Sequence, residues 1–252
     1  MLMHTSGGSL LGVAAMASRC AQRVRCCAGS AAGQDLGERF RLYSAPPSGV
    51  GVPVDAPVPL GGAGGDVCKP RGEVHRDGDW HRSVHIWLAD RGELHAGGRL
   101  LLQQRSVLKD THPGMLDVSC AGHVTGADGV IETAVREMEE ELGLRFSADD
   151  LEAAHVCTLP CEASGATEAH GAFICREYQE IFLLRLDALP DVASLALGSD
   201  EVASVTSQTA ESVLQAWEDR RDELQLVPRS RAYAGVLRAA LTSGSYGYLG
   251  IG

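Results

Sequence analysis

The chain has 252 residues, of which 44% are hydrophobic and 22% are charged, a balance that allows one sizeable buried core and excludes an intrinsically disordered chain. Its formal net charge of −11 argues against a nucleic-acid partner, because binding a polyanion needs a basic surface. No apolar run reaches the roughly 18 residues that a membrane-spanning helix requires, so we expect no membrane partner.

The first 34 residues differ in composition from the rest of the chain. Residues 1–34 contain arginines but no acidic residue, so all 33 acidic residues follow them. This composition is typical of an organelle transit peptide and predicts a chloroplast or mitochondrial location. The alternatives are a secretory signal centred on residues 10–17 and an unstructured N-terminus of a cytoplasmic protein. Residues 35–67 are rich in Pro and Gly and are predicted to be a linker.

We expect the folded domain to span residues 68–241, followed by a flexible tail at residues 242–252. Hydrophobic periodicity predicts a first hairpin, a third strand, one central helix, three more strands and two final helices. In chain order these are strands 83–89, 100–104 and 117–124, helix 129–142, strands 152–159, 172–186 and 201–206, and helices 210–224 and 233–241. This order predicts an α+β fold in which a mixed central sheet lies between helices, an αβα sandwich.

The eight cysteines follow neither a disulfide framework nor a paired zinc-ribbon spacing. A chain of this length does not need disulfides to stabilise its core. We therefore interpret the cysteines as mostly reduced thiols.

The central helix carries a cluster of glutamates. At about 100° per residue, Glu137, Glu140 and Glu141 fall within an arc of roughly 100° that borders the apolar stripe of the helix. Like charges one turn apart destabilise a helix, and the only basic residue among them is Arg136. Carboxylates close together favour a divalent cation between them, and oxygen ligands suit Mg²⁺ or Mn²⁺. The alternative interpretation is a solvated acidic helix face.

The residues around this helix resemble the Nudix box, whose pattern is G-x5-E-x7-R-E-U-x-E-E-x-G-U, where U is apolar. One position departs from the pattern, because Asp128 stands where the family has glutamate. The box positions of this chain are Gly122, Asp128, Arg136, Glu137, Glu140, Glu141 and Gly143. The resemblance implies the Nudix fold, three glutamates of the helix as metal ligands, and an arginine that holds one glutamate in place.

The sequence before the box helix, in residues 69–88 and 103–124, resembles the plant Nudix hydrolase 3 group and, more distantly, type 1 isopentenyl diphosphate isomerases. This resemblance implies that His75, His81 and His123 bind a metal. It also places Glu177, on a later strand, beside that metal, where a carboxylate can accept a proton. Taken singly, each of these histidines would more often be a surface or core residue.

The same resemblance suggests how the substrate is held. Arg105 and Lys109 match the positions at which the isomerases bind the diphosphate of their substrate, and a phosphate-rich ligand needs such cations. The alternative is that both are solvated side chains on a loop. The isomerases have a cysteine immediately before the box glycine, where this chain has Ala121. Cys120 is one residue earlier and should point away from the pocket, because adjacent strand residues face opposite sides.

These features favour a hydrolase that cleaves a diphosphate linkage in a small molecule of the nucleoside or isoprenoid diphosphate type. The expected reaction is attack by a metal-activated water, with Glu137 or Glu177 as the base. The alternative is an isopentenyl diphosphate delta-isomerase-like enzyme of isoprenoid metabolism. A non-catalytic binding module would be expected to lose box carboxylates, and all three are present. The sequence predicts neither the group attached to the diphosphate nor the oligomeric state.

Overall fold

The computed structural model describes residues 38–62, 65–109, 111–126, 128–167, 171–243 and 248–249. The chain divides into two units, Met1–Ala31 and Ala32–Gly252, and every described residue belongs to the second. The segment expected to be a transit peptide therefore lies outside the described residues. None of the helices described is both long and apolar enough to cross a membrane.

Five α-helices and ten strands make up the described part of the chain. The helices are α1 (Arg71–Asp77), α2 (Val130–Leu142), α3 (Ala148–Ala154), α4 (Ala210–Asp219) and α5 (Arg231–Ser243). The strands are β1 (Arg39–Arg41), β2 (Cys68–Pro70), β3 (Trp80–Asp90), β4 (Arg99–Arg105), β5 (Leu116–Asp117), β6 (Cys120–His123), β7 (His155–Thr167), β8 (Gly171–Leu186), β9 (Val202–Thr209) and β10 (Tyr248–Leu249).

Strand β3 lies at the centre of an eight-stranded mixed sheet. Along one edge it pairs in parallel with β8 over its whole length. Along the other edge it pairs antiparallel with β6 near its start and with β4 at Ala89. Strand β7 extends the sheet beyond β8, and β9 extends it beyond β4. The beginning of β3 therefore lies between β8 and β6.

Alternation along β3 divides the core into two layers, because successive strand residues point to opposite faces of a sheet. Trp87 faces α4 and α5 and packs in one hydrophobic cluster with Trp217 and other residues of those helices. Ile86 faces α2 and α3 and packs in a second cluster with Met138. Helices cover both faces of a mixed sheet, and the predicted αβα sandwich is confirmed.

The central helix has the end that the sequence predicts. Helix α2 stops at Leu142, and Gly143 follows in the left-handed conformation with φ 69°. The Gly143 N–H returns to the carbonyl oxygens of Glu139 and Met138, which caps the last turn of the helix.

Helix α3 replaces the predicted beginning of the strand at residue 152. Ser147 and Asp150 form a capping box, in which each side chain accepts a hydrogen bond from the backbone N–H of the other. This reciprocal cap stabilises the first turn of a helix that continues to Ala154. The following strand, β7, therefore starts only at His155. Helix α1 was likewise not predicted.

Part of the segment predicted to be a linker, residues 35–67, is built into the domain. Phe40 and Leu42 are buried, and β1 pairs with β2. Further along, the Val54 N–H donates to the Thr158 carbonyl of β7 over 3.0 Å. A Pro- and Gly-rich composition prevents long helices and strands but still allows isolated hydrogen bonds to a neighbouring strand. The folded unit therefore begins earlier in the chain than the sequence indicates.

Candidate active site

Three histidines from three elements meet near the beginning of β3. His75 lies on α1, His81 on β3 and His123 at the end of β6. One ligand nitrogen from each ring lies within 4.8 Å of the other two. The Nε2 atom of each ring is buried, and those of His75 and His81 have no hydrogen-bonding partner, whereas that of His123 faces a carboxylate. Buried polar atoms are normally paired, so unpaired ring nitrogens in so close a cluster fit the nitrogen ligands of a metal ion.

The surroundings of two of these histidines prepare them to bind a cation. The Nδ1 atom of His81 donates to the Asp79 carbonyl over 3.1 Å, which turns Nε2 toward the other two rings as the nitrogen available to a cation. Burial lowers the pKa of His75 to about 4, so this ring is neutral at physiological pH. Phe40 stacks on the ring of His81 with a centroid distance of 5.1 Å and holds its plane in place.

His123 has a different partner. Arg71 Nη1 donates to His123 Nδ1 over 3.2 Å, which places the proton of the neutral ring on Nε2. Burial lowers the pKa of His123 well below its ordinary value. Binding a cation through His123 Nε2 would move the ring proton to Nδ1, and Arg71 would keep its other partner, Glu38, at 3.1 Å.

Glu177 lies beside the histidines because β3 and β8 pair in parallel with His81 opposite Glu177. Its Oε1 atom is 3.2 Å from His123 Nε2 and 3.8 Å from His81 Nε2. Its Oε2 atom accepts hydrogen bonds from Ser83 Oγ at 3.1 Å and Gln179 Nε2 at 2.9 Å. Burial would raise the pKa of Glu177, but the neighbouring histidine rings hold it well below its usual range. An ionised, oriented carboxylate therefore faces the three rings.

On the opposite face of the sheet, two glutamates of α2 lie beneath β6. Glu141 Oε2 accepts from the Ala121 backbone N–H and from Gln103 Nε2, both over 3.2 Å. Burial raises the pKa of Glu137 to about 7 and raises that of Glu141 well above its ordinary value. Both groups would ionise more readily beside a cation, as expected of carboxylates that serve as metal ligands.

Arg136 connects the charged residues of the box. Its Nη2 lies 3.0 Å from Glu137 Oε1, its Nη1 2.8 Å from Glu140 Oε2, and its Nε 3.9 Å from Asp128 Oδ2. This contact places Arg136 where it could hold Glu137, the role that the family resemblance implies and that stays a prediction. The Glu140 side chain is 59% exposed, so the expectation that it borders the core is wrong. It lies at the edge of the acidic arc and reaches outward to Arg136, one turn earlier.

The two cations predicted to bind the substrate contact different carboxylates. Arg105 Nη1 lies 3.2 Å from Asp117 Oδ2, and Lys109 Nζ lies 2.5 Å from Glu201 Oε2. Both cationic side chains are largely buried. Their burial argues against the alternative interpretation, in which both are solvated side chains on a loop. A phosphate group would share each cation with a carboxylate that is already in place.

Cys120 and Ala121 face opposite sides of the sheet, as strand alternation predicts. Cys120 is fully buried in the cluster formed with Met138 of α2, and burial raises the pKa of its thiol well above the ordinary value. Ala121 packs against the cluster on the face of α4 and α5. Glu177 lies on that same face, so the residue beside the box glycine contributes a methyl group there.

The sequence analysis did not single out several side chains around Glu177. Cys175 Sγ donates to Glu177 Oε1 over 3.2 Å, and Ser83 contacts the other oxygen. The sequence did contain a signal for this polar face. His81, Ser83 and His85 occupy alternate positions of one strand, so their side chains point to the same side of the sheet. The strand was predicted to begin at residue 83, which left His81 outside it.

A cavity of about 100 Å³ adjoins Glu177, between the β7–β8 hairpin and the beginning of α5. Arg229, Tyr233, Cys161 and Gln179 also line it. A wider depression of about 870 Å³ lies on the outer surface of α2 and α3. Glu177 lines the smaller cavity, whereas Arg136 and Glu140 of the box line the wider depression, and none of the three clustered histidines lines either one.

Residues 79–228 match the model of the NUDIX domain family. The match spans the box helix, two of the three clustered histidines, Glu177, Arg105 and Lys109, and it ends one residue before Arg229. The chain therefore belongs to the Nudix family.

Several proteins of known name or structure are similar to this chain. Nudix hydrolase 3 of Arabidopsis thaliana is 39% identical over 139 residues, which cover 55% of this chain but only 17% of that protein. An isopentenyl-diphosphate Delta-isomerase of Serratia proteamaculans is 33% identical over 129 residues, covering 51% of this chain and 63% of the isomerase. The crystal structure of DR0079 from Deinococcus radiodurans has 20% identity and a TM-score of 0.47, covering 80% of this chain and 98% of that one. The chain thus spans less than a fifth of its Arabidopsis relative.

Proposed function

We propose that this chain is a divalent-metal-dependent hydrolase that cleaves a diphosphate linkage in a small molecule of the nucleoside or isoprenoid diphosphate type. The observation that supports this most strongly is an ionised carboxylate, Glu177, held 3.2 Å from His123 Nε2 and beside His75 and His81, whose buried Nε2 atoms lack partners. The box helix lies on the other side of the same strands. Membership of the Nudix family agrees with this chemistry.

Two sets of side chains fit a divalent cation. His75, His81 and His123 offer nitrogen ligands that lie within 4.8 Å of one another. Glu137, Glu140 and Glu141 of the box offer oxygen ligands, which suit Mg²⁺ or Mn²⁺. Among the described residues these three carboxylates do not converge to within 4.8 Å, because Glu140 turns to Arg136. When bound, a divalent cation supplies positive charge that polarises the diphosphate and lowers the pKa of water.

The two candidate bases differ in protonation. Glu177 has a depressed pKa and is ionised at neutral pH, with one oxygen held by Ser83 and Gln179 and the other facing the histidines. Glu137, with a pKa of about 7, is close to half-protonated at neutral pH. We therefore assign proton abstraction from the attacking water to Glu177, on the face of the sheet where the three histidines would hold a cation. We assign cation binding on the opposite face to Glu137, which Arg136 orients.

Isomerisation of isopentenyl diphosphate is the second candidate. The similarity to isopentenyl-diphosphate isomerases and the grouping of three histidines with Glu177 favour it. The absence of an ionisable group at Ala121 disfavours it, because a methyl group cannot exchange protons. Cys120 does not replace that group, because it faces the box helix.

A product-release screen tests the proposal. Nucleoside, dinucleotide and isoprenoid diphosphates are incubated with the full chain and Mg²⁺ or Mn²⁺, and an isomerase assay runs in parallel. We expect hydrolysis of at least one diphosphate, with kcat at least about a hundredfold lower in Glu177→Gln and Glu137→Gln. Glu139→Gln is the matched control, since Glu139 is exposed on the outer side of the same helix. Full activity of Glu177→Gln would contradict the proposal, as would an absence of hydrolysis.

A further inference from the structure

Arg229 lines the cavity beside Glu177, two residues before α5 begins. Its side chain is only 11% exposed. Its guanidinium forms an ion pair with Asp117 and lies 5.3 Å from the centroid of the Tyr233 ring, a cation–π contact. The guanidinium is thus held in a defined position between an acid and an aromatic ring.

Two guanidinium groups share one carboxylate in this cluster. Asp117 pairs through Oδ2 with Arg105 and through Oδ1 with Arg229. The remaining members add no charge, because burial lowers the pKa of His85 to about 3 and raises that of Tyr233. Asp117 balances one of these two positive charges, and the other interacts with the ionised Glu177, which lines the same cavity.

The hydrogen bonds of Arg229 are incomplete. Its Nε atom is buried and has no partner. A guanidinium offers five N–H donors in a planar fork, which matches the oxygens of a phosphate or a carboxylate. An unpaired donor on a cation that lines a cavity fits a bound anion in that cavity.

The size of the cavity limits what the anion can be. At about 100 Å³ it is smaller than the roughly 300–1,000 Å³ of typical small-molecule pockets. It can hold one charged end of a ligand while the rest extends outward. Glu177 lines the same cavity, so the anion would lie next to the carboxylate that faces the histidines.

We propose that Arg229 binds the anionic end of the substrate in this cavity, and that Asp117 and Tyr233 hold its guanidinium in position. The anion is a phosphate group of the substrate, an assignment that rests on the proposed function. The sequence-derived set of substrate-binding residues, Arg105 and Lys109, does not include this residue. Arg105 belongs to the same cluster through Asp117, whereas Lys109 pairs with Glu201.

Binding of inorganic pyrophosphate to the full chain, measured by calorimetry without substrate, tests the site. We expect Arg229→Gln to raise the Kd for pyrophosphate at least tenfold. Arg238→Gln is the matched control, because Arg238 lies on α5 and pairs with Glu211 and Glu218, and it should change the Kd less than twofold. With a hydrolysed diphosphate, Arg229→Gln should raise KM at least tenfold and leave kcat within threefold, which a general loss of structure would not do.

Arg229→Lys covers the case in which Arg229→Gln does not fold. It retains the positive charge beside Asp117 but loses the planar fork, so the Kd for pyrophosphate should rise at least fivefold. Unchanged binding in both variants, or no pyrophosphate binding by the wild type, would overturn the anion site whether or not hydrolysis is found. Weaker binding in the variants, together with no hydrolysis of any diphosphate, would support the site and contradict the proposed function.

Discussion

Gly122 and Glu137 are in such close contact that a Cβ atom at position 122 would lie 2.2 Å from the carboxyl carbon of Glu137. The box glycine therefore makes room for the box carboxylate. We expect Gly122→Ala to displace Glu137, lower kcat at least about a hundredfold and weaken Mn²⁺ binding. Overpacking at this site should also reduce the free energy of unfolding by about 1–3 kcal/mol. Steady-state kinetics, Mn²⁺ titration and urea unfolding measure the three effects.

Gly235→Ala is the control for this change. Gly235 is exposed on α5, and a Cβ there would meet no atom within 4 Å. The free energy of unfolding should increase by about 0.5–1 kcal/mol, because alanine favours a helix over glycine, and activity should not change. If Gly122→Ala retained wild-type kinetics, Glu137 would not depend on this contact.

His81 provides a test of the nitrogen ligands. His81→Gln should lower the affinity for Mn²⁺ at least tenfold, because it removes a buried Nε2 atom that has no other partner. The rise in melting temperature that Mn²⁺ causes in the wild type should shrink accordingly, since a ligand stabilises only the fold that binds it. Treatment with a chelator should abolish activity, and Mg²⁺ or Mn²⁺ should restore it.

The matched control is His95→Gln. The His95 side chain is 75% exposed and lies 3.3 Å from Glu211, away from the three clustered histidines. Its Mn²⁺ affinity and thermal shift should equal those of the wild type. Equal Mn²⁺ affinity in His81→Gln would remove this histidine from the proposed ligand set.

A substitution of Cys120 distinguishes the hydrolase from the isomerase candidate. Its thiol is buried beneath α2 on the face opposite to Ala121 and Glu177, so Cys120→Ser should leave kcat for hydrolysis within about twofold of the wild type. We expect no metal-dependent conversion of isopentenyl to dimethylallyl diphosphate by the wild type. If that conversion occurs and is lost in Cys120→Ser, the isomerase candidate replaces the hydrolase.

The ionisation of Glu180 should make the free energy of unfolding depend on pH. Burial would raise its pKa, but hydrogen bonds from His155 and Thr158 and the ion pair with Arg82 hold the pKa below its ordinary value of 4.5. The stabilisation from ionised Glu180 is therefore present above about pH 4.5 and is lost as the pH falls through the folded-state pKa. Glu180→Gln should cost about 2–3 kcal/mol at pH 7 and less below pH 4.5, measured by urea unfolding.

The control for Glu180 is Glu162→Gln. Glu162 pairs with Arg176 over 2.6 Å, but its side chain is 43% exposed. Exposed ion pairs contribute little, so its free energy of unfolding should stay within about 0.5 kcal/mol of the wild type at both pH values. A cost of Glu180→Gln that does not change with pH would show that the carboxylate acts only by packing.

The features that the sequence by itself determined are local ones. The helix at 130–142, its cap at Gly143 and the inward position of Glu137 and Glu141 all follow from periodicity and spacing within a few turns. Strand alternation likewise placed Cys120 and Ala121 on opposite faces. These particular features depend on backbone geometry over a few residues, which the periodicity of a sequence predicts.

Other local features did not follow from the pattern. Ser147 and Asp150 have the spacing of a capping box, a sequence signal that the strand predicted from residue 152 left unused. Glu140 has the angular position of a core-facing residue, yet the long side chain turns to Arg136 and remains exposed. In both cases a side-chain hydrogen bond decides the outcome, and periodicity does not report it.

The tertiary structure alone decided which distant residues meet. Parallel pairing of β3 with β8 places His81 opposite Glu177, and the turn before α5 brings Arg229 to Asp117, 112 residues earlier in the chain. It also folds Phe40, in a segment predicted to be a linker, onto the ring of His81. Such contacts depend on strand register and on the packing of whole helices, which are set by the complete core and not by any short stretch of sequence.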